Sequence, residues 1–270
     1  RTTLMGYQAG LALTAPYANV AIGYKAMGEG TTSSHIVAIG QNAFLKISTD
    51  GNAQRNVAVG SGAGEQMTNG TRATFIGYYA GGQYDSGNAF VNQTFVGSEA
   101  GYNHTSGVSN TLVGTQALHG TSGFAGSHNT VVGANAGLGA DDIDKAVIIG
   151  SNAAYGATTS GADGTIAIGY EAAHDLTSGG YNVLVGYQAG DKITDAHSNV
   201  GIGYGVLGAL EGGSTPAGDY IAIGIAAGAN LSGAQYGRCI AIGSYALNYG
   251  FAAQYSVAIG YQALHYATGS

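Results

Sequence analysis

The sequence predicts an all-β fold: a parallel β-helix or β-roll solenoid of about fifteen repeats, each 17–21 residues long. A seven-residue pattern carries this reading: a β-branched residue, a variable one, an aliphatic one, Gly, two free positions and Ala. Its glycine recurs at Gly6, Gly23, Gly40, Gly60, Gly77, Gly97, Gly114, Gly133, Gly150, Gly169, Gly186, Gly203, Gly224, Gly243 and Gly260, and eight of the fourteen spacings are 17 residues. Units this short bury nothing alone and must stack on their neighbours.

Each repeat opens with a strand. Three residues before the glycine stands Val, Ile or Thr in every copy, from Thr3 and Val20 to Ile240 and Val257. One residue before it every copy has Val or Ile, apart from Met5 in the first. Stiff, branched side chains at period two signal a strand. Stacked in register, these two columns are expected to form ladders inside the coil. The column between them is smaller, as at Ala21, Ala38, Ala58 and Ala167, but swells to Phe75, Phe95, Leu112, Val131 and Ile148 in five consecutive copies. Alternation points it to the opposite face. Both faces are apolar, so the strand should be covered on both sides, and a partner chain is an economical source of the second cover.

The glycine fits a tight corner that needs φ > 0 or the absence of a Cβ. Three residues further on, Ala recurs in fourteen of fifteen copies, with Ala26, Ala43 and Ala63 as examples and Val206 as the exception. So strict a small residue predicts close approach of two segments, with a second short strand facing the first. Tyr follows the glycine in seven copies: Tyr7, Tyr24, Tyr78, Tyr170, Tyr187, Tyr204 and Tyr261. Such a column suits a stabilising aromatic ladder or contact with carbohydrate. Asn precedes the strand at Asn19, Asn56, Asn110, Asn129, Asn182 and Asn199, where it reads as a turn residue able to stack as an amide ladder.

Composition narrows the function classes. The repeat runs unbroken from Thr3 to Ala263, which predicts a single repeat domain over 1–270. Gly at 49 residues with only two Pro excludes collagen, and 45% hydrophobic residues argue against disorder. Charged residues make up 9% with a net of −7, and eight Lys and Arg over fifteen rungs argue against nucleic acid as a partner. The single Cys239 allows no intrachain disulfide and reads as a small buried residue beside Ile240–Ile242. No run approaches the roughly 18 apolar residues of a membrane helix, so membrane insertion is not expected. The chain begins inside a repeat, which leads us to expect a segment of a longer polypeptide. At about 4.8 Å per stacked strand, fifteen rungs would make a stiff rod of about 70 Å.

The runs Asn19-Val20-Ala21-Ile22-Gly23-Tyr24-Lys25-Ala26 and Ser256-Val257-Ala258-Ile259-Gly260-Tyr261-Gln262-Ala263 resemble the repeats of bacteriophage tail fibres. They are also similar to the β-roll heads of trimeric autotransporter adhesins. The resemblance covers nearly the whole chain. Repeats longer than about 14 residues, and Gly-Tyr-Gln-Ala at Gly6, Gly186 and Gly260, place it nearer the phage fibre. It implies a homotrimer, a place on the virion or cell surface, and attachment to a host-surface glycan or outer-membrane protein. An extracellular filament of units stacked end to end is a further reading. An ice-binding solenoid would want a longer Thr array than Thr74, Thr94, Thr111 and Thr130, in a column assigned here to the interior.

Catalytic residue types are sparse, and no enzyme activity or cofactor is expected. Paired carboxylates of a glycosidase must lie within about 5–9.5 Å. Glu99 and Glu171 share a column but are four rungs apart, while Asp175 and Asp191 fall on adjacent rungs, where Lys192 makes a surface ion pair with Asp175 the expected outcome. Asp141, Asp142 and Asp144 read as a solvated acidic loop. The seven His show no metal-ligand spacing. Receptor contacts, if any, belong in the longer loops Leu45–Arg55, Gly82–Gln93 and Leu210–Asp219, with Tyr84, Asn88, Phe90 and Asn92 as candidates for sugar stacking and hydrogen bonding.

Overall fold

The computed structural model describes residues 1–47, 53–83, 90–121, 123–156, 159–210, 218–231, 238–251 and 255–268. The chain divides into two compact units, Arg1–Val132 and Gly133–Ser270. Each is a parallel β-solenoid, and among the described residues the helical content is one 3-10 turn, Ser160–Ala162, in the second unit.

In the first unit the strands Thr3–Met5, Val20–Ile22, Val37–Ile39, Val57–Val59, Thr74–Ile76, Thr94–Val96, Thr111–Val113 and Thr130–Val132 pair in chain order, all parallel. In the second the order is Val147–Ile149, Ile166–Ile168, Val183–Val185, Val200–Ile202, Ile221–Ile223, Ile240–Ile242 and Val257–Ile259. Every pairing sets equivalent repeat positions opposite one another, such as Val20 on Val37 and Ile221 on Ile240. The columns of the sequence are therefore physical ladders. Shorter pairs lie elsewhere on the coils, Gly70–Thr71 with Phe90–Val91 and Tyr249–Phe251 with Tyr266–Thr268.

Which face points inward is the reverse of the expectation. The middle residue of the strand is the buried one: Ala21, Ala38, Ala58, Phe75, Phe95, Leu112, Val131, Ile148, Ala167 and Leu184 have no exposed surface. The β-branched ladders on either side of it are half-buried or exposed, as with Ile221 at 38% and Ile223 at 37%. The reason is volume. The coil is narrow, so the wall opposite the strand comes within side-chain reach of the middle column.

The opposite wall is not the expected second strand. Ala26, Ala43, Ala63 and their equivalents on the inner rungs are buried, but they sit in turns. The positions flanking them are left-handed, with φ of 55° at Asn42 and 47° at Phe44, and 53° at Glu171 and 54° at Ala173. Alternating left-handed residues cannot continue a strand. Instead each turn closes on itself, Ala43 N–H donating to Gly40 O at 3.3 Å, and hangs on the next, Met27 N–H donating to Ala43 O at 3.0 Å.

The residue after that alanine compensates the strand. Ala21 and Ala38 face Met27 and Phe44 on their rungs, whereas Phe75 and Phe95 share theirs with Gly81 and Gly101. A Cβ on Gly81 would stand 3.2 Å from the Phe75 ring. On these four rungs large pairs with small, as close packing favours, whereas Ala58 with Gly64 and Leu112 with Leu118 do not follow the pairing.

The asparagine column does more than turn the chain. Asn56 Nδ2 donates to Gly70 O at 2.8 Å, and its Oδ1 accepts Ala73 N–H at 2.8 Å. Asn199 donates to Asn182 Oδ1 at 3.0 Å and accepts Tyr220 N–H at 3.0 Å. These amides are buried, and their oxygens take up the backbone N–H groups of Ala73 and Tyr220 on the next rung. Each such bond contributes about 1 kcal/mol, and losing the amide would add the larger cost of an orphaned backbone group.

The buried His104 joins this ladder. Asn110 Oδ1 accepts Asn129 N–H at 2.9 Å and its Nδ2 donates to Gly126 O, which fixes the amide orientation. The same Nδ2 lies 3.1 Å from His104 Nε2, so that nitrogen must accept and the imidazole is neutral. Phe95 and Phe124 pack on the ring at 5.3 and 5.1 Å. Burial lowers its pKa to about 3. Because the folded value lies below the unfolded one of about 6.5, the neutral ring stabilises fully above pH 6.5, and that contribution is lost as pH falls towards 3. We expect the loss to approach about 1.4 kcal/mol per pH unit inside this window. Urea unfolding at pH 7, 5.5 and 4.5 should show a slope that His104→Gln, which keeps an acceptor for Asn110, removes. An equal slope in both proteins would refute the assignment.

Candidate interaction surface

The outward side of the main sheet is the largest candidate. In the second unit Ile202, Tyr204, Ile221, Ile223, Ile225, Val257, Ile259 and Tyr261 are all exposed, at 37–72%. In the first unit Met5, Tyr7, Tyr24, Ile76, Tyr78 and Val113 are exposed in the same columns. Each comes from a β-branched or tyrosine column whose register the parallel pairing fixes. Apolar side chains exposed rung after rung make this side a candidate interaction face.

Tyrosines border it. Tyr170, Tyr187 and Tyr204 stack on consecutive rungs, with centroids 5.2 and 5.3 Å apart and planes 20° and 7° from parallel. Tyr7 and Tyr24 stack at 5.6 Å. Mutual stacking covers the ring faces a sugar would use and leaves edges and hydroxyls outward. The geometry is that of an aromatic ladder. Thr74, Thr94, Thr111 and Thr130 also lie on this outward side, not in the interior, as one run of four rungs.

The acidic positions are tied to their neighbours. Gln116 donates to Glu99 at 2.8 Å, and Gln188 donates to Glu171 at 2.8 Å, which holds the Glu171 carboxyl below its usual range. Lys192 Nζ lies 3.0 Å from Asp175 Oδ2, the expected ion pair, while His174 Nδ1 lies 2.6 Å from the other oxygen. Burial pushes Asp175 up, but these two hydrogen bonds outweigh it and leave the carboxyl low. Asp191 on the next rung is pushed up by burial. Asp163 Oδ1 accepts Asp144 N–H at 2.8 Å, clipping the acidic loop to the next coil. Cys239 is buried, and burial raises its thiol pKa.

Of the loop candidates, Tyr84 and Asn88 lie outside the described residues. Phe90 pairs with Gly70 through its backbone. Asn92 is exposed with φ of 58°, donates its N–H to Thr71 O at 3.1 Å, and accepts from Arg72 Nη1 at 3.5 Å. Only Asn92 of the four therefore has a described side chain, and its partner Arg72 was not singled out by the sequence. The signal for Arg72 lay in a column that composition hides, five residues before the glycine.

Fold and surfaces together define a class, the parallel β-solenoid repeat proteins. Compared with family models, with curated proteins and with solved structures, the chain shows no match.

Proposed function

We propose that this chain is a structural and adhesive fibre segment, the shaft or receptor-facing part of a bacteriophage tail fibre, which self-associates as a homotrimer and serves attachment to a host surface. The observation that carries the reading is the outward Val/Ile/Thr face, apolar on rung after rung in each unit. Burying an exposed Ile contributes about 1.5–3 kcal/mol, so repeated columns favour association strongly. A face ruled at the strand spacing of about 4.8 Å meets its best complement in a face with the same period and twist. A second copy of this chain has both, and the resemblance to trimeric fibre repeats selects three copies over two.

The test is native mass by light scattering at two concentrations, for the wild type and for Ile221→Lys/Ile223→Lys. The wild type should give three times 26.8 kDa at both. Both isoleucines project outward, so the variant should keep its β-sheet circular dichroism and fall to lower mass. A monomeric wild type sinks the reading. Mass that grows without limit would favour a stacking filament. A trimer untouched by the two lysines would place the contact on another face.

A further inference from the structure

We propose that the corner formed by His35, Arg55 and Arg72 binds a carboxylated polysaccharide, which names a ligand class for the attachment reading above and does not require the trimer. The sequence spreads eight Lys and Arg over 270 residues, yet the register brings three basic side chains onto successive rungs. Each stands five residues before a repeat glycine, where the backbone is left-handed, with φ of 58° at His35 and Arg55 and 57° at Arg72. Glycine, asparagine and aspartate suit that conformation better than arginine does. The fold accepts small residues there, as at Ala18, Ser109 and Ser198, so it does not itself require arginine at two consecutive rungs.

The corner is rigid. His35 N–H donates to Tyr17 O at 3.0 Å, Arg55 N–H to Ser34 O at 3.2 Å and Arg72 N–H to Gln54 O at 3.2 Å. The acceptors themselves bridge in parallel, Tyr17 to Ser34, Ser34 to Gln54 and Gln54 to Thr71. All three basic side chains are exposed, and among the described residues neither arginine joins an ion pair. Rungs about 4.8 Å apart are closer than the Debye length of about 10 Å at 0.1 M salt, so the two guanidinium charges act together. Their mutual repulsion is relieved by an anion that also repeats.

Composition points the same way. Residues 1–132 carry five basic and five acidic side chains and are neutral, whereas 133–270 carry three and ten, with a net of −7. Apart from Arg55 and Arg72, residues 1–132 carry three basic and five acidic side chains, so the pair stands out against a slightly acidic background. Its neighbours select sugar over nucleic acid. The preceding column offers the hydroxyls of Ser34 and Thr71 and the amide of Gln54, and the Tyr17 ring meets His35 edge-on at 5.4 Å. Carboxylates with interleaved hydroxyls match that pair of columns. Single-stranded nucleic acid would want successive aromatic platforms, and among the side chains described Tyr17 is the aromatic that meets this row.

The experiment measures binding of the full chain to immobilised polygalacturonate at 50 and 300 mM NaCl, with dextran and a single-stranded oligonucleotide as comparisons. We expect binding that weakens at least tenfold between the two salt concentrations and is absent on dextran. Arg55→Gln/Arg72→Gln should lose at least tenfold at 50 mM with an unchanged melting curve, while Arg238→Gln, whose arginine already pairs with Asp219 at 3.5 Å, should bind as the wild type does. A wild type that ignores polygalacturonate, a double variant that binds normally, or equal binding to dextran overturns the proposal. An oligonucleotide bound as tightly and lost in the same variant overturns the polysaccharide assignment. Native mass on the same samples separates the two readings: a monomer that binds supports the corner and removes the fibre, and a trimer that does not bind does the reverse.

Discussion

Gly23→Ala is expected to cost more than about 4 kcal/mol, an exceptional loss for removing no side chain. The backbone at Gly23 has φ of +134°, a region closed to residues with a Cβ, and the added carbon would stand 2.5 Å from Gly40 O and 2.7 Å from its carbonyl carbon. The obstacle is the backbone of the next rung, which cannot swing aside as a side chain would. Since repeat stability is a sum of rungs and their interfaces, the damage should be local first. Hydrogen exchange should reveal fast amides on the rungs flanking Gly23 before global melting falls. Gly205→Asn provides the contrast. Its φ is +57°, nothing lies within 4 Å of its added Cβ, and Asn already fills the equivalent place at Asn42 and Asn152. It should change stability by less than about 1 kcal/mol. Equal effects from the two substitutions would mean that the glycine column is not held by rung contact.

Phe75→Ala is expected to lose about 3–5 kcal/mol. The ring has no exposed surface and lies between Phe44 and Phe95, with centroids 5.9 and 5.0 Å away. Gly64 and Gly81 leave the room it fills, so the turns cannot collapse into the void without bending the ladder. Thr74→Ala, one residue earlier on the outward side, should cost less than about 1 kcal/mol in the isolated chain. Chemical denaturation of both variants checks the pair. A larger loss at Thr74 than at Phe75 would reverse the inward and outward faces described above.

Much of the solenoid was legible because stacking is periodic. Glycine with alanine three residues on can recur in fourteen of fifteen copies only if each copy meets the same environment. That periodicity fixes parallel pairing and register, and the ion pair between Lys192 and Asp175 followed from register alone. The inward face was not legible from branching, because Val20 and Ala21 are both apolar and alternation does not say which side is narrow. The signal existed one column away. Met27 and Phe44 opposite alanines, and Gly81 and Gly101 opposite phenylalanines, mark the two columns that share one interior volume.

The second strand failed for a different reason. Alanine reports close approach whether the backbone is extended or turned, and only the left-handed residues on either side of it, such as Asn42 and Phe44, decided for a turn. The sequence by itself determined the class of fold, the register and the turn glycines, since these follow from local sterics repeated at a fixed period. Tertiary structure alone decided which ladder is the core, that the asparagines clip one rung to the next, and that Arg55 and Arg72 are exposed with no ion pair among the described residues. Those outcomes depend on which atoms come within a few ångströms across rungs 17–21 residues apart, and a single chain read in order does not display that distance.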